Sequence, residues 1–475
     1  MGRSGHRRTL RAIGALAAGA ALALAWSAPA AARTQGPGEP VAEVDLSGNG
    51  PDLAASVPDI AIDPTDPKRI AIVWRTIAMT TEPQTGSRRS VCHLSRSSDG
   101  GVSFSHETID WGMADTPQCN APYVDFAANG DLYMGATLVA RAPLNPPEGF
   151  HAFGRAAFRK SHDFGATWSA TASVVATDSY DRFAQNPAIP DAAKRTPWDG
   201  ARGVVDRSTG AIYVGGGYPA PPGGAAHSER FYSASRDGGE TWGPIRAWGS
   251  ADWPQRWDGR MLAAHGRFAY AYVAGRTPRT GACLCVVFAS SADDGVTVRR
   301  RLVTRISGVD MLVHYPTFVA SPKTAGTYAL AVLSDDATRI VVHTTANEGA
   351  RWTATEVQGG AGVTRASRPA LAYTPNGALA LVWRGYHEDG SYDIYASASA
   401  DGRGFGAPVR LSRASSRTPE SVMADYAVRG DFITAAKADD GFVHAAWTDW
   451  RGGTEARVYY GRAPLSLLLN STPAR

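Results

Sequence analysis

One short phrase returns along the 475-residue chain: Ser97-Ser98-Asp99-Gly100-Gly101-Val102-Ser103-Phe104, Ser161-His162-Asp163-Phe164-Gly165-Ala166-Thr167-Trp168 and Ser235-Arg236-Asp237-Gly238-Gly239-Glu240-Thr241-Trp242. Looser copies surround Asp293, Asn347 and Asp401, and successive aspartates or their equivalents lie 64, 74, 56, 54 and 54 residues apart. Self-similarity at such a period means one supersecondary unit copied many times. Within each box the carboxylate suits hydrogen bonds from its own turn, the glycine a conformation other residues avoid, and the last aromatic packing beneath the turn. A reaction needs one centre rather than six. Asp99, Asp163, Asp237, Asp293, Asn347 and Asp401 are therefore read as structural, and Trp168, Trp242 and Trp352 as packing residues.

Upstream of each box stand an apolar strand, a turn and a second apolar strand. Arg368 to Tyr373, the turn Thr374-Pro375-Asn376-Gly377, and Ala378 to Trp383 show the layout, with Asn-Gly a strong hairpin signal. A third strand leads into the box and a fourth leaves it. Four antiparallel strands per repeat is the composition of a propeller blade, so the chain reads as an all-β propeller. Seven blades are expected, or six if one weak unit merges with its neighbour. The last unit lacks a fourth strand, which the segment from Ala42 to Ser47 can supply, pairing the two ends of the chain and closing the ring.

The first residues carry Arg3, Arg7, Arg8 and Arg11, then an apolar run to Trp26 and a small-residue stretch to Ala32, the pattern of a secretory signal peptide. The expected organisation is a signal peptide over 1–32, a linker over 33–41, one propeller over 42–463 and a tail over 464–475. Whether export is general or twin-arginine stays open. The formal charge of +4 comes from those four leading arginines; the remainder holds 44 basic and 44 acidic residues. That balance removes the electrostatic case for a nucleic-acid or membrane-surface partner, and no later stretch reaches the ~18 apolar residues of a membrane span. Cys92, Cys119, Cys283 and Cys285 fit an oxidising compartment and allow three pairings. Cys283-Leu284-Cys285 could form a tight local disulfide or a metal pair, but no second C-x-C motif supports zinc.

Propeller sites lie at one end of the central channel, so the polar residues just before each first strand are the candidates. They include Asp59, Asn120, His314, Tyr315, Arg368 and Asp431. The repeated phrases Trp198-Asp199-Gly200-Ala201-Arg202 and Trp257-Asp258-Gly259-Arg260 would bring an aromatic, a carboxylate and an arginine from adjacent blades. Arginine outnumbers lysine 43 to 5, which lowers the information in any one arginine. His314 suits proton transfer by its titration range.

With its boxes, its opening Val57-Pro58-Asp59-Ile60-Ala61-Ile62-Asp63-Pro64 and its ending Gly430-Asp431-Phe432, the chain resembles the sialidase-like proteins with Asp-box, or BNR, repeats. That resemblance implies an exported exo-glycosidase acting on sialic acid or another acidic sugar, monomeric and without cofactor or metal. It implies arginines around the sugar carboxylate, here Arg202, Arg260 and Arg368, a tyrosine nucleophile, here Tyr315, and an acid, here Asp59. Asp199, Asp258, Trp198 and Trp257 would complete the binding surface, with His314 and Asp431 as further catalytic candidates. The family's F/Y-R-I-P phrase is absent: Val57-Pro58-Asp59-Ile60 stands in its place, and no glutamate adjoins Tyr315. Two other readings remain, a non-catalytic propeller that binds glycan or protein, and a polysaccharide lyase using His314 and Tyr315.

Overall fold

The computed structural model describes residues 41–48, 53–80, 88–114, 118–139, 154–175, 199–218, 229–250, 252–275, 284–307, 315–422 and 435–470. They form seven four-stranded antiparallel sheets arranged in a ring. The innermost strands, in blade order, are Leu53–Ile62, Gln118–Phe126, Asp199–Val205, Gln255–Ala264, Thr317–Ala320, Arg365–Tyr373 and Ala435–Ala438. Each blade then runs outward in chain order. The seventh takes its outermost strand, Ala42–Asp45, from the start of the chain, in register with Tyr459 to Arg462.

Blades stack face to face, so their inner three strands are covered on both sides and need no alternation of polar and apolar residues. Ile70–Ala78 and Tyr392–Ser399 are buried almost throughout, whereas the outer strands Ser105–Thr108 and Thr353–Gln358 are polar and largely exposed. Polar, charged edges discourage pairing with another chain.

The boxes sit on the turns between third and fourth strands and bind two things. Inside the turn, Asp163 accepts from the Ser161 hydroxyl at 2.8 Å, the Thr167 amide at 2.8 Å and the Thr167 hydroxyl at 2.6 Å. Asp99, Asp237 and Asp293 repeat this, and Asn347 and Asp401 make reduced versions. Across the seam, the box is held by the preceding blade. Arg96 donates to the Phe164 carbonyl at 2.9 Å, Lys160 to that of Gly238 at 3.3 Å, and Arg462 to that of Gly100. The terminal aromatics reach backward too: Phe104 meets Tyr460, Trp242 meets Phe158 and Trp352 meets Phe288, edge to face, at 4.9, 5.3 and 5.6 Å. The box aromatic thus welds two blades rather than merely filling the space beneath its own turn.

Toward the axis, carboxylates of the inner strands link neighbours in the same direction. Asp59 accepts from the Val124 amide at 3.2 Å, Asp125 from Val205 at 3.1 Å and Asp206 from Gly266 at 2.6 Å. At the closing blade, Leu465–Asn470, in the stretch read from sequence as a tail, forms a short helix whose Leu465 and Leu468 are buried beside Val382, Ile394 and Trp447.

Candidate functional site

The inner strands enter the ring at one end, and five of them break register at the same depth: between Ser56 and Asp59, Asn120 and Tyr123, Asp199 and Arg202, Trp257 and Arg260, and Ser367 and Ala370. A bulge re-aims the side chains that follow it. At these bulges Val57, Ala121, Gly200 and Arg368 take positive φ of 57°, 44°, 63° and 51°. For a β-branched residue such as Val57 this conformation is costly, and it gathers where function is built.

Tyr315 stands just before the inner strand of blade 5. Its hydroxyl donates to the Gly259 carbonyl of blade 4 at 2.9 Å. A Cβ at Gly259 would lie 1.6 Å from the Ala271 carbonyl oxygen, so only glycine lets the backbone come this close. From blade 6 the Arg368 guanidinium lies 4.8 Å from the Tyr315 ring centre, and from blade 4 that of Arg260 lies at 6.0 Å. Arg368 is only 4% exposed. Three successive blades therefore meet at one aromatic ring.

Below this mouth the bore holds a half-open cavity of about 380 Å³. Asp59, Arg202, Arg260 and Lys437 line it together with Ala263, Ala370, Ala372 and Ala435, whose short side chains leave the space open. Burial pushes the Asp59 carboxyl above its ordinary range, against the pull of Arg260, Lys437, the Val124 amide and Arg202. A carboxyl held toward its neutral form is suited to donate a proton. Arg202 also donates to the Ala201 carbonyl at 2.8 Å.

Of the residues expected from sequence, Tyr315, Arg260 and Arg368 come together, and Asp59 and Arg202 share the cavity beneath them. Trp198, His314 and Asp431 lie outside the described residues, as do the side chains of Asp199, Trp257 and Asp258. Asn120 is drawn into a buried network instead. Arg75 donates to it and to the Ser56 hydroxyl at 3.2 Å, beside the Cys92–Cys119 disulfide that joins blades 1 and 2. Cys285 is also disulfide-bonded, and Cys283 lies outside the described residues. Sequence reasoning missed Arg75 and Lys437. The signal for Lys437 was present as a lone charge in Ala435-Ala436-Lys437-Ala438, inside an inner strand.

No protein family and no curated protein matches the chain. Among solved structures, a Hadza microbial sialidase aligns over 80% of this chain and 74% of its own, with 15% identity and a TM-score of 0.45. A protein of unknown function from Dyadobacter fermentans aligns over 90% of this chain and 99% of its own, with 13% identity and a TM-score of 0.48. An α-L-arabinofuranosidase from Fusarium graminearum, complexed with an iminosugar inhibitor, aligns over 75% and 97%, with 12% identity and a TM-score of 0.46.

Proposed function

We propose that the chain is an exported propeller that takes an acidic sugar at the mouth of its central channel and hydrolyses the glycosidic bond, as an exo-glycosidase of sialidase type. The observation that carries this is the meeting of Arg260 and Arg368 on Tyr315, above a cavity that holds Asp59. Guanidinium groups match a sugar carboxylate through paired hydrogen bonds. In this reading Arg368, Arg260 and Arg202 hold the carboxylate; Tyr315, giving up its hydroxyl proton to solvent, attacks the anomeric carbon while Asp59 protonates the leaving oxygen, and water then displaces the sugar from Tyr315, with Asp59 taking up the proton of that water. The buried Cys92–Cys119 disulfide supports an oxidising compartment.

A second reading, glycan binding without turnover, is favoured by one detail. The Tyr315 hydroxyl donates to a backbone carbonyl, and among the described residues no carboxylate hydrogen-bonds to it. Turnover of a fluorogenic sialoside or an aryl uronide by the wild type, lost in Arg368→Ala, supports hydrolysis. Saturable binding of the same sugars without turnover selects the binder, and neither binding nor turnover overturns both.

A further inference from the structure

The cavity in the bore opens away from the Tyr315 mouth. Its wall begins just past the bulges, at Asp59, Arg202, Arg260, Thr317, Ala370 and Ala435, and among the described residues neither Tyr315 nor Arg368 lines it. It ends beyond the inner strands, at Arg207, Ser208 and Pro322 in the turns that follow them. Burial runs the same way. Thr317, Ala370 and Ala435 are 8%, 6% and 5% exposed, Ala264, Ala320 and Ala438 are half-buried, and Arg207, Ser208 and Pro322 are exposed. All seven turns at that end lie within the described residues. The open side of the cavity thus faces the end of the ring opposite Tyr315, and Asp59 stands at its deep end.

Both signs of charge line the passage. Near the rim Asp125 pairs with Arg207 at 3.3 Å, and Asp206 accepts from the Ser208 amide at 2.9 Å. Deeper stand Lys437, Arg202 and Asp59, with Arg260 at the divide, its guanidinium also against the Tyr315 ring. A passage lined with charged groups holds water where an apolar one stays dry, and about 380 Å³ is room for about ten waters. We infer that the bore is a back entrance for water, carrying the water of the hydrolytic step to Asp59 from the face opposite the one that takes the sugar. The role in turnover rests on the glycosidase reading; the entrance itself does not. With the sugar joined to Tyr315 and covering the mouth, water from the bore meets Asp59 first. Its oxygen bonds to the anomeric carbon and its proton passes to the Asp59 carboxylate. The bond from that carbon to the Tyr315 oxygen breaks, its electron pair stays on the phenolate, and the phenolate regains a proton from solvent. Asp59 ends the step protonated, as it began the first.

Ala264→Trp with Ala438→Trp, at the outer ends of the inner strands of blades 4 and 7, plugs the rim and leaves Asp59, the arginines and Tyr315 in place. Access is read with Thr317→Cys, a near-isosteric thiol at the deep end, with the wild type as the blank. It should react with aminoethyl methanethiosulfonate in the unplugged chain, and about ten-fold more slowly or less once the plug is added. Turnover is read on a fluorogenic sialoside or aryl uronide. Because kcat/KM covers only the steps before that water is needed, the plug should lower kcat about ten-fold and leave kcat/KM unchanged. Intact-protein mass should show the sugar accumulating on the plugged chain. Matching melting temperatures show that the variants fold, and leucines at the same two positions, a narrower plug, serve if the tryptophans unfold the chain. A Thr317→Cys thiol that does not react, or reacts equally with the plug, overturns the entrance. Labelling blocked with kcat unchanged overturns its role in the reaction, since water then reaches the sugar from the mouth. Labelling blocked in a chain that turns over neither sugar supports the entrance and defeats the glycosidase reading alone.

Discussion

Arg451 grips Glu43 through both ends of its guanidinium, at 2.8 and 2.7 Å, across 408 residues of sequence. A third bond from the same group reaches Asp449 at 2.7 Å. Glu43 and Asp449 are almost wholly buried, so this fork clasps the first strand of the chain to the last blade. Arg457 adds a second clasp to Asp45 at 2.7 Å.

Removing one partner of a buried pair strands the other, at a cost of about 3 kcal/mol. Arg451→Ala is expected to lower stability by that order in a denaturant titration. It should also expose the strand Ala42–Asp45 to protease before the rest of the ring. Lysine cannot reproduce the fork, so Arg451→Lys should recover only part of the loss.

The box aspartates set an acid limit on stability. Hydrogen bonds from the threonine side chains and amides hold Asp163, Asp237 and Asp293 down to about 2, against about 3.9 in an unfolded chain. A depressed folded value means that the contribution is full above about pH 4 and lost as pH falls toward about 2. The triple variant Asp163→Asn, Asp237→Asn, Asp293→Asn should be less stable at neutral pH. Its stability should fall less steeply than that of the wild type through that acid window, as followed by circular dichroism.

Gly239 combines two demands. Its φ is +91°, and a Cβ there would sit 2.2 Å from the Phe158 ring of the preceding blade. Gly239→Ala is expected to cost about 2 kcal/mol or more, because it adds strain and overpacks the seam at once. Gly210, at φ +75° with open space around it, isolates the backbone part and should cost less when changed to alanine. Comparing the two melting temperatures checks this.

Burial raises Asp59 in the folded protein. Its favourable contribution is therefore full below the unfolded carboxylate value and is lost as pH rises through the raised folded one. Asp59→Asn should match the wild type in acid and exceed its stability at alkaline pH. The same variant should lose turnover if Asp59 is the proton donor. A pH series of melting temperatures, with rates measured beside it, reads both effects.

Much of the scaffold was legible because its signals are local. The turn Thr374-Pro375-Asn376-Gly377 forms the hairpin that its residues imply, the Gly377 amide donating to the Thr374 carbonyl at 2.9 Å. The missing fourth strand of the last unit pointed to Ala42, and that segment closes the ring. Box serines, threonines and aspartates bond within a few residues of one another, so their geometry is written in the phrase itself.

The channel was legible only as a set of residue types. Lys437 and Arg75 went unread because what gives each its place belongs to other blades: Asp59 and Arg260 for one, Asn120 for the other. Arg368 could be suspected from its place before a strand, but its turn toward Tyr315 depends on a bulge with positive φ that no propensity announces.

The sequence by itself determined a repeated four-stranded unit, because its turns and boxes are held by contacts a few residues apart, and the unit left without a fourth strand pointed to closure of the ring by the first segment of the chain. Only the tertiary structure decided which arginines share a tyrosine and which cations share a cavity. Those meetings are between strands tens to hundreds of residues apart, and they are set by how far each bulge turns a side chain and by how wide a bore seven stacked blades leave open.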